Sequence, residues 1–285
     1  MTTAHIVIQG RTLTPALVQQ VAALAGAARI RQLCDTAWRC EAMPRTPGAA
    51  LRARLRDLGD AAQADINIVA TPRPLATYRL AVMDMDSTLI TIECIDEIAD
   101  MMGIKPQVAA ITEAAMRGEI EYPESLRRRV ALLAGLNVAA LERVYQERLR
   151  LSPGAEQLIA GFKSAGLKTM LVSGGFTFFT ERVQHRLALD FAHSNVLDVA
   201  DGKLTGRVTG VLVDAQEKAR KLAATCAALG CSPADSIAIG DGANDLKMMG
   251  VAGVSVAYRA KPIVCAQAMA SISHNGLDAV LKLFD

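Results

Sequence analysis

The chain has 285 residues, of which 51% are hydrophobic and 21% charged, and its formal net charge at pH 7 is +2. This length and apolar content are enough for one large domain with a substantial core and a second, smaller domain. The nearly balanced charge gives no reason to expect a nucleic-acid or membrane partner, and no apolar run approaches the roughly 18 residues of a membrane helix. The amino terminus lacks a basic segment followed by an apolar one, so we expect a cytoplasmic protein.

The first 70 residues predict a small α+β domain. Thr14 followed by Pro15 is typical of a helix start, Gly26 is typical of its end, and Thr46-Pro47 predicts a second helix start. Strands are expected at residues 4–8, in two runs between 28 and 41, and at 65–69. The order βαββαβ is that of a ferredoxin-like domain, here residues 1–70. The two prolines of Thr71-Pro-Arg-Pro74 then predict an extended linker, residues 71–77.

Two aspartates follow directly on the apolar run Leu80–Met83. Because side chains alternate along a strand, Asp84 and Asp86 should share one face. Two carboxylates this close repel each other unless a cation neutralises them or one keeps its proton. The pattern therefore predicts either a divalent-metal site or a nucleophile paired with an acid. The alternative is that the aspartates only cap the following helix.

Polar residues also follow two later apolar runs. Asp241, Asn244 and Asp245 come after the predicted strand 236–240, and Ser173 and Gly174 come after the predicted strand 168–172. Parallel strands place their carboxyl ends at one crevice, so Asp241 could complete an oxygen-ligand site with Asp84. A hydroxyl and a backbone amide at a helix start would suit an anion, and Lys218 supplies a positive point charge. The alternatives are a plain turn at Ser-Gly-Gly and a solvated helix face around Lys218.

Residues 93–150 interrupt this α/β pattern with a stretch that is predicted to be almost entirely helical. Its predicted breaks are Gly103, Gly118, Pro123 and Gly135. Glu93 and Arg129 lie in this stretch, where a charged pair is ordinarily solvated. The α/β pattern resumes after residue 150, with a further strand expected at 252–256. Asp201-Gly202 predicts a β-hairpin between two short runs of strand character, which we interpret as a small β excursion.

The ordered set of motifs resembles the haloacid dehalogenase superfamily of aspartate-nucleophile phosphatases. These motifs are Asp84-x-Asp86-Ser-Thr, Ser173-Gly174, Lys218, and Gly240-Asp241-Gly-Ala-Asn244-Asp245. The resemblance covers about residues 78 to 285. It implies a Rossmann-like α/β core with a parallel sheet, residues 78–92 and 151–285, and an inserted helical cap, residues 93–150.

The resemblance also implies a role for each matched residue. Asp84 would be the nucleophile that forms an aspartyl-phosphate, and Asp86 would protonate the leaving group and later take a proton from water. Mg²⁺ would be held by Asp84, the backbone carbonyl of Asp86, and Asp241, with Asp245 acting through water. The groups implied to bind the substrate's phosphate end are Ser173, the Gly174 amide, Lys218 and Asn244.

Four stretches narrow the resemblance to those members that hydrolyse O-phospho-L-serine, the last step of serine biosynthesis. These stretches are Asp84–Glu97, Ser125–Val130, Val172–Phe176 and Gly240–Asp245. In this subgroup Glu93 would meet the substrate ammonium and Arg129 its carboxylate, for which a guanidinium offers a bidentate fit. The rival interpretations are a phosphatase of another small phosphate ester and a catalytically silent amino-acid sensor.

Residues 1–70 resemble the amino-acid-binding ACT domains that accompany enzymes of amino-acid metabolism. No cluster of residues within this stretch identifies a ligand. The resemblance leaves open an amino-acid effector, assembly into a homodimer, and a purely structural role.

Overall fold

The computed structural model describes residues 4–43, 48–70 and 73–284. The described residues contain two β-sheets, one of four strands and one of seven. Within these ranges, we find no helix that is both long enough and apolar enough to cross a membrane.

The smaller sheet belongs to the amino-terminal part of the chain. Its elements are β1 (His5–Gln9), α1 (Pro15–Ala25), β2 (Arg29–Cys34), β3 (Ala37–Glu41), α2 (Ala49–Ala62) and β4 (Asp65–Val69). All neighbouring strands are antiparallel, in the order β2-β3-β1-β4, which is the predicted ferredoxin-like arrangement. The Thr14 hydroxyl accepts a hydrogen bond from Leu17 N, and Gly26 ends α1 in the left-handed conformation. The predicted helix start at Thr46-Pro47 and the linker residues Thr71-Pro72 lie outside the described residues.

The larger sheet forms a Rossmann-like core. Its strands are β5 (Leu80–Met83), β6 (Lys168–Phe176), β7 (Phe191–Ala200), β8 (Lys203–Thr209), β9 (Ser236–Gly240), β10 (Val254–Tyr258) and β11 (Ala270–Ile272). They lie in the order β11-β10-β9-β5-β6-β7-β8, and every neighbouring pair is parallel except β7 with β8. Leu80 and Val82 point into one apolar cluster and Ala81 and Met83 into the other, so β5 is buried on both faces.

Two features of this sheet differ from the sequence interpretation. The turn at Asp201 and Gly202, both with positive φ (50° and 73°), closes the predicted hairpin. Its strands β7 and β8 extend the main sheet and do not form a separate excursion. Strand β11 was not predicted, because three residues are too short to show an alternating pattern.

Helices surround the core and form the predicted helical stretch. The stretch contains α3 (Cys94–Met101), α4 (Lys105–Met116), α5 (Tyr122–Ala131), α6 (Ala139–Arg143) and a π-helical turn at Val144–Arg148. Helices α7 (Ala155–Ser164), α8 (Thr177–Leu187), α9 (Ala215–Ala228), α10 (Leu246–Val251) and α11 (Pro262–Gln267) belong to the core. Pro123 does not break a helix as expected but lies in the first turn of α5, where a missing N–H costs no intrahelical bond. The assignment of residues 93–150 to a cap that is separate from the core stays a prediction.

The amino-terminal sheet is docked on the end of the chain. The Asn67 side chain donates to Ser271 O (2.9 Å) and accepts from Ser271 N (2.7 Å), so its carboxamide bonds the main chain of edge strand β11 as a neighbouring strand would. The Asp65 carboxylate accepts hydrogen bonds from Ser273 N (2.7 Å) and from the Asn275 side chain (2.7 Å). The two sheets are therefore joined by specific polar contacts in addition to the connecting segment.

Candidate active site

The site begins where β5 ends. Asp84 is in an extended conformation, its Oδ1 accepts a hydrogen bond from Met85 N (2.7 Å), and residues Met85–Leu89 form an irregular turn. Within that turn Asp86 has φ −62° and ψ 137°, and Ser87 has φ 54°. The strand-alternation argument for Asp84 and Asp86 is therefore wrong, because the strand ends at Met83. The turn nevertheless brings both carboxylates to the lining of one pocket.

Lys218 lies beneath this pocket and is completely buried. Helix α9 presents it, and the Asp214 side chain caps that helix by accepting a hydrogen bond from Glu217 N (2.8 Å). The Lys218 Nζ lies 2.9 Å from Asp84 Oδ1 and 2.8 Å from Asp245 Oδ1. The solvated-face interpretation of Lys218 is thus excluded, and one ammonium group is shared by two carboxylates.

The charges in this cluster shift each other's protonation. Burial raises the pKa of Asp84 well above its usual range and the Asp245 charge adds to this, while Lys218 opposes both. Burial works against the charged form of Lys218, but the charges of Asp245 and Asp84 outweigh it, so the pKa of Lys218 is raised. The lysine therefore stays charged at any physiological pH.

Three carboxylates form a group that could hold a metal ion. Asp84, Asp241 and Asp245 each offer one oxygen, and these oxygens lie within 4.8 Å of one another. Thr88 Oγ1 donates to Asp241 Oδ1 (3.2 Å) and orients it, while burial, followed by the Asp245 charge, raises the pKa of Asp241 to about 6. A donor set made only of oxygens fits a hard divalent cation, which would also relieve the mutual repulsion of the acids. Asp245, which is expected to act through water, is one of the three residues of this group.

Ser173 and Gly174 lie in an interruption of β6. Val172 pairs with His193 and Phe176 with Asn195, so three residues of β6 stand opposite one residue of β7. The Ser173 Oγ accepts a hydrogen bond from Gly175 N (2.8 Å), which leaves the hydroxyl proton available to an anion. These groups were expected at a helix start, but α8 begins only at Thr177, so they lie in the bulge itself.

Asp86 has the protonation behaviour of an acid that works near neutrality. Its Oδ1 accepts a hydrogen bond from Cys94 N (3.1 Å). Burial, followed by the charge of Glu93, raises the pKa of Asp86 to about 7. A carboxyl group with such a pKa can give up a proton and take it back at physiological pH.

Residues of the helical stretch line the other side of the pocket, which has a volume of about 370 Å³. Glu93 Oε1 accepts a hydrogen bond from Ser87 Oγ (2.6 Å). Arg129 Nε donates to Ser125 O (3.4 Å), and no ion pair of Arg129 occurs among the described residues. Arg128, by contrast, is solvent-exposed and paired with Glu124 at 2.7 Å. Of these two adjacent arginines, only Arg129 lines the pocket.

The structure brings the sequence-predicted residues together. Those that line the pocket are Asp84, Asp86, Glu93, Arg129, Ser173, Gly174, Asp241 and Asn244, while Lys218 and Asp245 support it from below. The sequence reasoning missed Tyr122 and Lys261, which also line the pocket. Tyr122 lies seven residues before Arg129, a spacing that puts both on one helix face and could have identified it. Lys261 follows strand β10, whose carboxyl end meets the same edge of the sheet.

Comparisons with known proteins agree with this geometry. Residues 81–250 match the family profile of haloacid dehalogenase-like hydrolases. The phosphoserine phosphatase of Polaromonas sp. strain JS666 is 56% identical over 223 residues, which cover 76% of this chain and 94% of that protein.

Two solved structures superpose on almost the whole chain. A haloacid dehalogenase family hydrolase from Salmonella enterica is 31% identical with a TM-score of 0.91, covering 99% of each chain. A probable phosphoserine phosphatase from Vibrio cholerae is 35% identical with a TM-score of 0.82, covering 99% of this chain and 86% of the other. The motif order, the parallel core and the family match over residues 81–250 lead to the same assignment, and the chain belongs to the haloacid dehalogenase-like hydrolase family.

Proposed function

We propose that this chain hydrolyses O-phospho-L-serine to L-serine and phosphate, the last step of serine biosynthesis, through an aspartyl-phosphate on Asp84. The observation that carries the proposal is a single pocket lined by two chemically different sets of groups. Asp84, beside the buried ammonium of Lys218, lines it together with Glu93 and Arg129. The first set suits a phosphoryl group, and Glu93 with Arg129 suits the ammonium and carboxylate of an amino acid. The relative from Polaromonas carries the name of this activity. A cytoplasmic location follows from the same proposal, because this is a step of small-molecule metabolism.

The electrostatic arrangement suits the demands of the reaction. Hydrolysis of a phosphate monoester needs an acceleration of up to about 10²¹-fold, whereas general acid catalysis supplies only about 10² to 10⁴. Most of the effect must therefore come from positioning and from neutralising the phosphoryl oxygens. Lys218 supplies a permanent charge next to Asp84, and Ser173 and the Gly174 amide supply hydrogen-bond donors to the same pocket.

Asp84 and Asp86 divide the covalent and the proton-transfer work. The Asp84 carboxylate attacks phosphorus and displaces the serine oxygen, and the Asp86 carboxyl gives that oxygen its proton. Water then attacks the phosphorus of the aspartyl-phosphate and loses a proton to Asp86. The bond between phosphorus and the Asp84 oxygen breaks, so phosphate leaves and both residues are restored. The raised pKa of Asp86, about 7, is what permits both directions of transfer.

We further propose Mg²⁺ as the resident metal. Asp84, the Asp86 carbonyl and Asp241 would hold it, with Asp245 close enough to contribute directly or through water. When bound, the ion supplies positive charge to the phosphoryl oxygens. The oxygen-only donor set of the acidic group supports this choice over a softer metal.

Glu93 and Arg129 provide the specificity. The Arg129 guanidinium would take the substrate carboxylate as a bidentate pair, and the Glu93 carboxylate would take the ammonium. Asn244 would orient the substrate near the phosphate. A substrate that lacks either end leaves one of these charged groups without its partner, which is how the pocket discriminates.

A panel of phosphate esters with released phosphate as the readout tests the proposal. O-phosphoserine should exceed phosphoethanolamine, which lacks the carboxylate, and 3-phosphoglycerate, which lacks the ammonium, by at least about 100-fold in kcat/KM. p-Nitrophenyl phosphate reports the chemistry without either recognition element. If the chain preferred another ester, that ester would be its substrate in place of phosphoserine. If it hydrolysed no ester, the proposed activity would be wrong and a binding role would remain.

The amino-terminal part has a feature that supports an effector. A cleft of about 270 Å³ lies between α2 and β4 on one side and α11 and β11 on the other. Arg52 and Arg56 line it one helical turn apart, with no ion pair to any described residue, and Ser271 and Ser273 line the opposite wall. We propose that a small carboxylate such as an amino acid binds there. Helix α11, which lines this cleft, begins directly after Lys261, which lines the active-site pocket, so one short segment runs from one pocket to the other.

Calorimetry on the full-length protein tests the effector. L-serine should bind a variant with Arg129→Ala, in which the active site is weakened, and adding Arg52→Gln and Arg56→Gln should abolish that binding. By linkage, an effector bound in the cleft must change substrate affinity by the same factor as substrate changes effector affinity. If L-serine bound the triple variant as tightly as the Arg129→Ala variant, the cleft would not be its binding site, and the amino-terminal part would keep only a structural role.

A homodimer is a separate proposal. Strand β2 is at the edge of the four-stranded sheet, and within the described part of the chain no other strand pairs with its outer side. Such an edge is a natural site for pairing with a second copy. Sedimentation velocity over a range of protein concentrations distinguishes a dimer from a monomer.

A further inference from the structure

One buried side chain connects the two main-chain segments that carry the phosphate-binding groups. Asn195 lies on β7 and is only 1% exposed. Its Nδ2 donates to Gly174 O (2.7 Å), and its Oδ1 accepts from Val213 N (2.8 Å). Both ends of the carboxamide are therefore used, each on a different segment of backbone.

Each of the two segments positions one phosphate-binding side chain. Gly174 belongs to the bulge in β6 that carries Ser173, and this bulge takes the Gly174 carbonyl out of regular pairing with β7. Val213 directly precedes Asp214, the residue that caps α9 and so helps to set the position of Lys218. Ser173 and Lys218 lie on different elements, β6 and α9. The Asn195 carboxamide forms one hydrogen bond to each of the two backbone segments that position them.

The helical stretch reaches the same carbonyl. Tyr122, on the helix that carries Arg129, donates its hydroxyl proton to Gly174 O (3.3 Å). A carbonyl oxygen has two lone pairs and can accept both the Asn195 and the Tyr122 hydrogen bonds. The contact is close: a Cβ atom at position 174 would lie 2.4 Å from the Tyr122 hydroxyl oxygen. The Gly174 carbonyl is thus a junction between the core and the helix that recognises the substrate carboxylate.

We infer that Asn195 is a positioning residue for phosphoryl transfer. We also infer that the Tyr122 hydroxyl, through its hydrogen bond to the Gly174 carbonyl, holds helix α5 in place against the Ser173-Gly174 turn. Neither residue touches the reacting atoms in this role. Asn195 fixes the position of the Ser173-Gly174 turn relative to the start of α9. Tyr122 connects that turn to the helix that carries Arg129. The inference rests on the proposed function, since it concerns the same pocket.

Two substitutions at position 195 separate positioning from mere packing. Asn195→Asp preserves the shape and still accepts from Val213 N, but an ionised carboxylate cannot donate to Gly174 O and repels it. A protonated carboxyl can donate. Asn195→Leu has a similar volume and can do neither. We expect Asn195→Leu to lose about 100-fold in kcat on phosphoserine at every pH, the loss typical of one misplaced catalytic donor.

The pH profile of the aspartate variant is the decisive readout. The ratio of its kcat to that of the wild type should rise at least about tenfold from pH 8 to pH 5.5, as the new carboxyl gains the proton that it needs to donate. The titratable groups around this position are Tyr122, which binds the same Gly174 carbonyl, His193, two residues along β7, and Asp214, which follows Val213. The Asn195→Leu ratio serves as the matched control for their titration, because it should stay flat.

The Asn195 assignment is wrong if kcat of Asn195→Leu lies within threefold of the wild-type kcat. It is also wrong if the ratio of kcat for Asn195→Asp to kcat for the wild type does not change with pH and stays well below one. Thermal unfolding and circular dichroism identify any variant that fails to fold, and in that event Asn195→Asp alone carries the test. If the wild type itself fails to hydrolyse phosphoserine, the proposed function falls instead, so the two failures remain distinct.

Tyr122→Phe tests the second half of the inference by removing a single oxygen atom. The variant should raise KM for phosphoserine about five- to tenfold, the cost of one neutral hydrogen bond in the substrate-bound form. KM for p-nitrophenyl phosphate, which has no carboxylate for Arg129, should change less than twofold. Equal changes in KM for both substrates, or no change in KM for phosphoserine, would show that the Tyr122 hydroxyl does not hold helix α5 in place.

Discussion

Replacing Lys218 by methionine removes one buried positive charge while keeping most of the side-chain volume. In the native structure its Nζ lies 2.9 Å from Asp84 Oδ1 and 2.8 Å from Asp245 Oδ1, and the three side chains are only 1%, 7% and 0% exposed. The variant therefore leaves two carboxylates facing each other without a cation. Breaking a buried ion pair by removing one partner costs about 3 to 5 kcal/mol. We expect Lys218→Met to lose that much unfolding free energy at pH 8 in the presence of a chelator.

The pH dependence of this loss follows from the direction of the pKa shifts. Burial and Asp245 already raise the pKa of Asp84, and Lys218 is the principal group that lowers it. Without the lysine, the native state binds a proton more tightly still, while the unfolded state keeps its ordinary carboxyl pKa. A group whose pKa is higher in the native state contributes stability at low pH that is lost as pH rises. The destabilisation should therefore be smaller at pH 6 than at pH 8.

Urea unfolding at the two pH values, with chelator and then with Mg²⁺, measures these effects. The metal should stabilise Lys218→Met more than the wild type, because it takes over the neutralisation of Asp84 and Asp245. Lys221→Met is the matched control on the same helix, since its ammonium lies 4.0 Å from Glu217 and is partly exposed. That variant should lose less than about 1 kcal/mol. If Lys218→Met lost as little as the control, the buried charge cluster would not have the energetic role derived for it.

Three further outcomes are expected. Asp84→Asn should keep the fold but abolish turnover with Mg²⁺, because the amide is not a nucleophile, and substantial activity would contradict the assignment of Asp84. Arg129→Ala should cost about 2 to 5 kcal/mol in kcat/KM on phosphoserine but little on p-nitrophenyl phosphate, while Arg128→Ala changes neither; equal losses on both substrates would make Arg129 structural. Burial, followed by the Arg39 charge, lowers the pKa of His5 to about 4, so the unfolded state binds the proton more tightly and stability falls as pH drops below about 6.5. Between pH 7 and pH 5 the wild type should therefore lose about 2 kcal/mol more unfolding free energy than His5→Gln, and parallel pH dependence of the two would refute this.

Several features could be predicted because they depend on neighbours in the sequence. The helix bounded by Thr14 and Gly26 and the hairpin turn at Asp201-Gly202 follow from local backbone preferences. The strands that end before Asp84 and Asp241 follow from the apolar pattern of a buried parallel sheet. The carboxyl ends of parallel strands share one edge, so the convergence of these acids followed as well.

Other features were decided only by contacts between distant parts of the chain. Lys218 sits among glutamate and arginine, a local pattern typical of a solvated helix face, yet the packing of α9 on the sheet buries it between two carboxylates. The junction of Asn195, Gly174 and Tyr122 joins residues separated by 21 and 52 positions, with no local signal at Asn195. Local sequence sets backbone preferences through short-range sterics and periodicity, whereas burial and pairing depend on which faces meet after the chain has folded. The identity of most residues of the pocket could thus be read from the sequence, but their charge states and relative positions were set by the tertiary structure.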